Sequence, residues 1–345
     1  MTYIIRLQTT GKTFAAEPEE TLLQAAQRHN IDIPYGCQNG ACGSCICDLI
    51  SGSIAYPEGP PRALSSKTTF SQPVVICKAV ATDNISLHPR EILGTQPPKI
   101  KTLPCRVYSM QRLSPDVMQI KLTLPQSESF DFRAGQYIEF LLKDGRKRAF
   151  SIANAPHDDR FIELHIRHVD GGSFTGHVFD EMKDKAMMRI EGPLGTFFLR
   201  EESDRPLLLV GGGTGFAPLK AIIEHAIHRG IERSIHLFWG ANTPQDLYLP
   251  ELPEHWTKTL PEFQYSPVVT DTGANWSGAT GLVTHAVTNC YDDLSPFDIY
   301  MSGAPAMVEA ATPLFAEQGA LANHMFSDAF EFASDVLEKI RTRKP

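Results

Sequence analysis

The chain has 345 residues, of which 42% are hydrophobic and 21% charged, and its formal net charge is −8 at pH 7. This length predicts two or three domains, and the composition excludes a globally disordered chain. The acidic balance argues against nucleic acid or an anionic membrane as the main partner, because neither would be attracted over long range.

Cysteines are the first feature that points to chemistry. The chain has 7 of them, an odd number, and four fall within residues 37–47. In a reducing compartment such grouping is typical of metal ligation rather than disulfide bonds. The first residues lack the basic start and apolar stretch of a secretory signal, and no apolar run approaches the roughly 20 residues that cross a bilayer. We therefore expect a cytoplasmic protein without a membrane partner.

Residues 1–92 predict a compact α+β domain. A strand-like segment at 3–7 is followed by Thr21 and Gln24, whose spacing is a capping-box signal for a short amphipathic helix. Prolines and weak periodicity then indicate an extended linker over residues 93–103.

Residues 104–203 predict a second, all-β domain. Apolar and polar residues alternate through 118–124 and again through 162–166. This period of two is typical of half-buried antiparallel strands, and their number favours a small β-barrel.

Residues 204–345 predict an α/β domain with a parallel sheet. Buried strands at 207–210 and 235–238 flank a segment with helical spacing that ends at Gly230. Alternation of strands and helices continues downstream, as expected for a parallel sheet covered by helices.

The spacing of four cysteines predicts an iron–sulfur cluster. Cys37, Cys42 and Cys45 are separated by four and two residues, and Cys77 follows after 31 more. This is the plant-type [2Fe-2S] spacing, and glycines in the loop let backbone N–H groups surround the cluster. Zinc is the alternative, but the half-site formed by the second and third cysteines has no matching second pair. The other cysteines are interpreted as structural: Cys47, Cys105 and Cys290.

A glycine-rich turn lies between the first buried strand and the helix of the α/β domain. Exposed N–H groups and the helix dipole at such a turn attract a pyrophosphate, although a tight turn without a ligand is the alternative. Phe216 occupies the third glycine of the usual dinucleotide fingerprint, so the motif is not that one. The candidate dinucleotide-binding residues are Gly211, Gly212, Gly213, Thr214 and Gly215.

The order of these parts, together with the segment Arg148-Ala149-Phe150-Ser151, resembles a known family. In it an N-terminal plant-type ferredoxin is fused to a ferredoxin–NAD(P) reductase-like module. Members are NADH-dependent electron-transfer components of bacterial aromatic-ring and alkane hydroxylases, and the related reductase of deoxysugar biosynthesis. The resemblance covers nearly the whole chain. It implies a β-grasp ferredoxin domain, an FAD-binding antiparallel β-barrel and an NAD-binding α/β domain.

The resemblance implies roles for the residues that match the flavin motif. Arg148 would pair with the flavin pyrophosphate, Phe150 would pack against the flavin in place of the usual tyrosine, and Ser151 would lie near flavin N5. A second element before a short helix would hold the pyrophosphate, and its residues are Gly171, Gly172, Ser173 and Thr175.

Near the C-terminus, residues 300–307 resemble the family segment whose cysteine lies beside the nicotinamide and the flavin. Ser302 replaces that cysteine, and Gly303 follows it. Ser151 and Ser302 are therefore the two candidate residues of the hydride-transfer site. Phe330 or Phe326 would be the terminal aromatic that shields the flavin; packing in the core of an amphipathic helix is the alternative.

The strand after the glycine turn bears on the choice of nucleotide. It ends near Asn242, which is neutral, and Asp246, Glu251 and Glu254 follow. A 2′-phosphate would be repelled there rather than bound, so we expect NADH rather than NADPH.

The resemblance implies an electron relay with three cofactors, namely NADH, FAD and a [2Fe-2S] cluster. NADH gives up two electrons as a hydride and the cluster accepts one at a time, so a flavin must stand between them. The leading hypothesis is the reductase component of a multicomponent oxygenase, monomeric and docking transiently on an electron-acceptor protein. The alternatives are delivery to a deoxysugar dehydratase, to free flavin or to ferric compounds, and a redox-sensing subunit with little turnover.

Overall fold

A computed structural model describes residues 2–65, 70–93, 98–273 and 276–330. The chain divides into two compact units, residues 1–97 and 98–345. Part of the predicted linker, 94–97, and the end of the predicted α/β domain, 331–345, lie outside the described residues. Among the described helices, none is long and apolar enough to cross a membrane.

The first unit is a mixed sheet covered by one helix. Its main sheet has the order β2-β1-β7-β3-β5, in which β1 and β7 are parallel and the other pairs antiparallel. Strands β4 and β6 form a separate pair. This arrangement confirms the predicted α+β class. The elements are β1 (Tyr3–Leu7), β2 (Thr13–Ala16), α1 (Leu22–Arg28), β3 (Ile46–Ser51), β4 (Ile54–Ala55), β5 (Pro73–Val75), β6 (Val80–Ala81) and β7 (Ile85–Pro89), with a 3-10 turn at Arg62–Ser65.

Helix α1 begins where the capping box predicts. The backbone N–H of Gln24 donates to Thr21 Oγ1 at 3.2 Å, and the N–H of Thr21 donates to Gln24 Oε1 at 3.0 Å. The helix buries its apolar side, including Leu22 and Leu23, against the sheet core. Between α1 and β3 the chain forms the irregular loop that carries three of the four candidate cluster cysteines.

The second unit begins with a six-stranded antiparallel barrel of order β11-β10-β13-β8-β9-β12. A bridge between Ile152 and Leu164 joins its two ends. The alternation that predicted the barrel is seen in β9, where Ile120 and Leu122 are fully buried and their neighbours are half-buried. The elements are β8 (Lys101–Ser114), β9 (Val117–Thr123), β10 (Tyr137–Leu141), β11 (Lys147–Ser151), β12 (Ile162–Arg167), α2 (Ser173–Asp180) and β13 (Met187–Leu194).

A parallel six-stranded sheet of order β17-β16-β15-β14-β18-β19 follows, as predicted. Helix α3 ends at Gly230, whose φ of 65° is the left-handed conformation expected for a helix-terminating glycine. The elements are β14 (Leu207–Gly212), a 3-10 turn (Gly213–Gly215), α3 (Phe216–Arg229), β15 (Ile235–Ala241), a 3-10 turn (Pro244–Asp246), α4 (Glu251–Thr259), β16 (Phe263–Val269), β17 (Ala279–Thr280), α5 (Val283–Cys290), β18 (Asp298–Gly303), α6 (Pro305–Glu317), a 3-10 turn (Ala322–His324) and β19 (Met325–Ala329).

A buried carboxylate binds side chains from several loops at the amino end of this sheet. Asp298, at the start of β18, is 1% exposed, and its Oδ2 lies 2.5 Å from Nη2 of Arg233. Its Oδ1 accepts from Nδ1 of His324 at 2.7 Å and lies 3.4 Å from Nε of Arg205. Because Arg233 is itself buried, the loss of this carboxylate would leave a cation without compensation.

We expect Asp298→Ala to lower the free energy of unfolding by roughly 3 kcal/mol, the cost of breaking a buried ion pair. For a domain of this size that is a drop in melting temperature on the order of 6–12 °C, measurable by differential scanning calorimetry. Asp292→Ala, at an exposed position in the same region, is the control. Equal melting temperatures for the two variants would contradict the role of Asp298.

Candidate functional site

The structure brings the four candidate cluster cysteines together as two pairs. In the loop before β3, the N–H of Cys37 donates to Cys42 Sγ at 3.4 Å and the N–H of Cys42 donates to Cys37 Sγ at 3.3 Å. Cys45, at the end of the loop, has its thiol in hydrogen-bonding contact with Cys77, which follows β5. Cys45 and Cys77, which are distant in sequence, are therefore in contact.

Two pairs of thiols fit a [2Fe-2S] cluster, because each of its two irons takes two protein thiolates. No group of three or more metal-ligating side chains that could hold one ion is found among the described residues. The Cys42 thiol, with further help from backbone N–H groups, lowers the pKa of Cys37 to about 6. The Cys45 thiol and then the N–H of Gly40 lower the pKa of Cys77 in the same way.

Backbone shape is the second sign that the loop fits the cluster. Gly40 has φ +85°, and a Cβ there would lie 2.8 Å from Pro61 Cβ. A Cβ at Gly36 would lie 3.2 Å from Cys42 Sγ. Glycine at these positions keeps the loop tight around the thiols and leaves its amides available to negative sulfur.

The three cysteines interpreted as structural lie elsewhere. Cys47 and Cys105 are buried, and burial raises the pKa of each to about 12, as expected for inert core thiols. Cys290 differs, because it is exposed at the last position of α5.

The flavin motif occupies β11 at one end of the barrel sheet. Arg148 and Phe150 are half-buried there, and Ser151 is 9% exposed. The Phe150 ring lies 5.6 Å from the ring of Phe174 on α2 and 5.9 Å from that of Phe140 on β10. The strand thus places an aromatic face close to the start of a helix.

The start of α2 has the form of an anion-binding turn. Gly171 has φ +77°, and Gly172 caps the helix without a side chain. A Cβ at Gly172 would lie 2.6 Å from Oγ1 of Thr175. That hydroxyl accepts from the N–H of Val169 at 3.1 Å, so it holds the turn together. The first-turn N–H groups, which lack partners within a helix, fit a phosphate.

The glycine turn after β14 packs directly on the end of β18. A Cβ at Gly215 would overlap the carbonyl oxygen of Ser302, and a Cβ at Gly303 would lie 2.9 Å from Gly212 O. Gly303 also has φ +145°, which disfavours other residues. The candidate residues of both segments therefore meet at the carboxyl edge of the parallel sheet, where nucleotides bind in such folds.

Arg167 is a further candidate site residue, which no motif in the sequence indicated. It is the last residue of β12, and a Cβ at Gly213 would lie only 3.4 Å from its Nη2. Nη1 is 3.2 Å from Oδ2 of Asp116, whereas Nε and Nη2 are buried and find no hydrogen-bond partner among the described residues. Buried guanidinium N–H groups beside a glycine turn fit a dinucleotide phosphate.

The two candidate serines lie next to one carboxylate, which was also missed. Ser151 Oγ donates to Asp328 Oδ2 at 3.2 Å, and Asp328 on β19 is the cross-strand neighbour of Ser302 on β18. Ser302 is 0% exposed, and within the described part of the chain its hydroxyl has no hydrogen-bond partner. No local sequence signal could indicate this contact, since Ser151 and Asp328 are 177 positions apart.

The two candidate terminal aromatics have different surroundings. Phe326 packs on Tyr300 with ring centroids 4.7 Å apart, and the guanidinium of Arg200 lies 4.6 Å from its ring, which is a core position. Phe330 follows β19, is half-buried, and donates its N–H to Gly303 O at 2.8 Å. Phe330 is therefore the one that contacts Gly303, directly after Ser302.

A buried polar cluster joins the barrel to α3. Glu163 accepts from His165 at 2.9 Å and pairs with Lys220 at 3.3 Å. Burial raises the pKa of Glu163, but these two partners outweigh it and lower the value to about 2. His165 also contacts the hydroxyl of Tyr248 at 3.1 Å, so both nitrogens of its buried ring have hydrogen-bond partners.

Three family models match successive parts of the chain. They are the 2Fe-2S iron-sulfur cluster binding domain at residues 5–82, the oxidoreductase FAD-binding domain at 104–199 and the oxidoreductase NAD-binding domain at 209–312. Their order and content confirm the resemblance seen in the sequence, as well as the cofactors expected from it.

Relatives match over nearly the full length. The CDP-6-deoxy-L-threo-D-glycero-4-hexulose-3-dehydrase reductase of Yersinia pestis is 36% identical over 330 residues, 96% of this chain and 99% of that protein. The terephthalate 1,2-dioxygenase reductase component 2 of Comamonas sp is 34% identical over 331 residues, 96% and 98% of the two proteins. The Amycolatopsis cytochrome P450 reductase GcoB has a TM-score of 0.79 and 29% identity, covering 96% of this chain and 100% of that structure. The chain therefore belongs to the reductases that join a [2Fe-2S] domain to FAD- and NAD-binding domains, and it is an oxidoreductase that transfers electrons from NAD(P)H through FAD to [2Fe-2S].

Proposed function

We propose that this chain is the NADH-dependent reductase component of a multicomponent oxygenase, passing single electrons from its cluster to a partner protein. The observation that carries the proposal is the set of buried polar groups at the glycine turn, Arg167 Nε and Nη2 and Ser302 Oγ, that find no partner in the described part of the chain, combined with two thiol pairs in the ferredoxin unit. When bound, FAD would supply the chemistry that links two-electron transfer from the nucleotide to one-electron transfer to the cluster. The chain's own contribution is to bind and orient these groups.

The proposed boundaries are 1–92 for the ferredoxin domain, 93–103 for the linker, 104–203 for the FAD domain and 204–345 for the NAD domain. The ranges of the three family models support this division. We also propose a monomer, since the relay is complete within one chain. The cytoplasm is the proposed location, because thiolate ligands are kept reduced there.

The proposed cluster ligands are Cys37, Cys42, Cys45 and Cys77. In the flavin site, Arg148 and the N-terminal turn of α2 would hold the pyrophosphate, and Phe150 would pack against the flavin. Asp328 would orient the Ser151 hydroxyl by accepting a hydrogen bond from it, so that the hydroxyl oxygen keeps a defined position.

In the nucleotide site, the glycine turn and the first turn of α3 would hold the dinucleotide pyrophosphate, with Arg167 as the cationic partner. Ser302 would lie beside the nicotinamide, where a small buried side chain admits a planar ring. Phe330 would cover the flavin from the end of β19.

The deoxysugar dehydratase is the second candidate acceptor, because a reductase of such an enzyme is 36% identical over 99% of its length. Both acceptors would dock at the cysteine loop. Reconstitution of the reduced protein with each type of partner separates them, since only the true acceptor restores turnover at catalytic amounts of reductase.

The relay is tested by mixing the anaerobic protein with NADH and following flavin and cluster absorbance. We expect both to bleach rapidly, whereas a low-turnover sensor would be reduced slowly and no bleaching would refute the proposal.

Cys42→Ser should abolish reduction of cytochrome c or the partner and retain NADH-to-ferricyanide activity through the flavin. Cys290→Ser, at an exposed position, is the control. If a folded Cys42→Ser protein lost both activities, the proposed order of transfer would be wrong.

Arg167→Gln should raise the KM for NADH about tenfold or more, because a charge-assisted hydrogen bond to a phosphate is worth about 1.5–3 kcal/mol. Steady-state rates with ferricyanide isolate the nucleotide step. Arg160→Gln, an arginine with its side chain 76% exposed on the same barrel, should keep the wild-type KM. An unchanged KM in Arg167→Gln would remove Arg167 from the site.

The choice of NADH rests on the carboxylates that follow β15. Asn242 is exposed there, Asp246 Oδ2 accepts from the N–H of Thr243 at 2.9 Å, and Glu251 and Glu254 lie in the first turn of α4. A 2′-phosphate near these groups would be repelled.

We expect kcat/KM for NADPH to be at least about tenfold below that for NADH, the effect of roughly 1.4 kcal/mol of repulsion. Asn242→Arg should raise kcat/KM for NADPH several-fold by supplying a cation, while Asn242→Gln should leave it unchanged. A wild-type preference for NADPH in initial-rate assays would overturn the assignment.

A further inference from the structure

A buried tryptophan donates a hydrogen bond to the glycine turn from behind. Trp239 on β15 is 0% exposed, and its Nε1–H donates to the carbonyl oxygen of Gly213 at 2.9 Å. The indole is stacked on Phe216 with ring centroids 4.0 Å apart and an interplanar angle of 14°. Tyr248 meets it edge-on at 5.1 Å. Aromatic rings on two sides therefore fix the direction of the N–H.

The Gly213 carbonyl accepts two hydrogen bonds, one from the backbone of the turn itself and one from a side chain of the neighbouring strand. The N–H of Phe216 closes the 3-10 turn on this oxygen, and the indole of Trp239 adds the second bond. Packing alone would be satisfied by a phenyl ring in this apolar core, so the indole contributes a donor that the core does not need.

Because the peptide is planar, this hydrogen bond also sets the direction of the next backbone N–H on the binding surface. In a planar trans peptide the C=O and the following N–H point in opposite directions. Because Trp239 draws the Gly213 carbonyl inward, the N–H of Thr214 is directed outward, away from the core. Arg167 lies against the same glycine from the barrel, so the turn is held between a donor behind it and a cation beside it.

We propose that Trp239 is a positioning residue that sets the affinity of the reductase for its nicotinamide dinucleotide by fixing the peptide between Gly213 and Thr214. This inference rests on the proposed assignment of the glycine turn as the dinucleotide site. Trp239 acts on binding and not on the transfer step, because it touches the turn and lies behind it.

The test is Trp239→Phe in the holoprotein, which keeps a stacked ring and removes the donor. The KM for NADH with ferricyanide as acceptor should rise about three- to tenfold, the range expected for one neutral hydrogen bond. The kcat at saturating NADH and the flavin and iron contents should stay at wild-type values. The matched control is Trp276→Phe, because the Trp276 indole donates to Ala279 O, also at 2.9 Å, in a peripheral turn.

An unchanged KM in Trp239→Phe, an equal rise in Trp276→Phe, or a loss confined to kcat would each overturn the inference. If Trp239→Phe does not fold, site-specific replacement of the indole by its benzothiophene analogue removes only the N–H and is judged by the same criteria. Comparison with Arg167→Gln separates failure of the site assignment from failure of the positioning role. If both variants bind NADH as the wild type does, the site assignment fails; if only Trp239→Phe does, the positioning role fails.

Discussion

Negative charge has to be held at three places by a chain that is itself acidic. The cluster thiolates and the two cofactor pyrophosphates must be stabilised locally, because a net charge of −8 offers no general attraction. Each proposed site meets this constraint with backbone N–H groups in a turn that only glycine can form: the loop around Gly40, the start of α2 at Gly172 and the turn at Gly213–Gly215. Cations are used sparingly, and each is placed by a specific contact, as Asp116 places Arg167.

One strand face serves both stability and binding. Glu163, His165 and Arg167 alternate along β12, so their side chains share one face of the strand. The first two are tied to Lys220 of α3 and to Tyr248. The third reaches the glycine turn that begins the same helix. The ionic contacts that hold β12 against α3 therefore also set the distance between Arg167, the proposed partner of the phosphate, and the glycine turn.

Local signals in the sequence sufficed for the elements and the cluster. The capping box at Thr21, the stop at Gly230 and the spacing of the cysteines each depend on residues close in sequence, and the structure shows the first two where they were expected. The bond from Ser151 to Asp328, by contrast, spans 177 positions and depends on how the barrel packs on the parallel sheet. In the sequence Trp239 likewise looks like an ordinary core residue of a buried strand. Only the folded structure shows that its N–H donates to Gly213 O.

The departures from the family pattern fall at places where the structure supplies other support. Phe150 cannot donate a phenol hydrogen bond, yet its ring packs with Phe140 and Phe174, so the aromatic surface is retained. Ser302 is fully buried and its hydroxyl finds no partner among the described residues, and such a group costs roughly 1–3 kcal/mol. Such a cost is sustained where a ligand satisfies the group, and Ser302 lies between the glycine turn and the strand of Asp328, where the proposed nicotinamide would enter. The buried serine therefore fits the proposed nicotinamide site, where it would contact the ring rather than the phosphates.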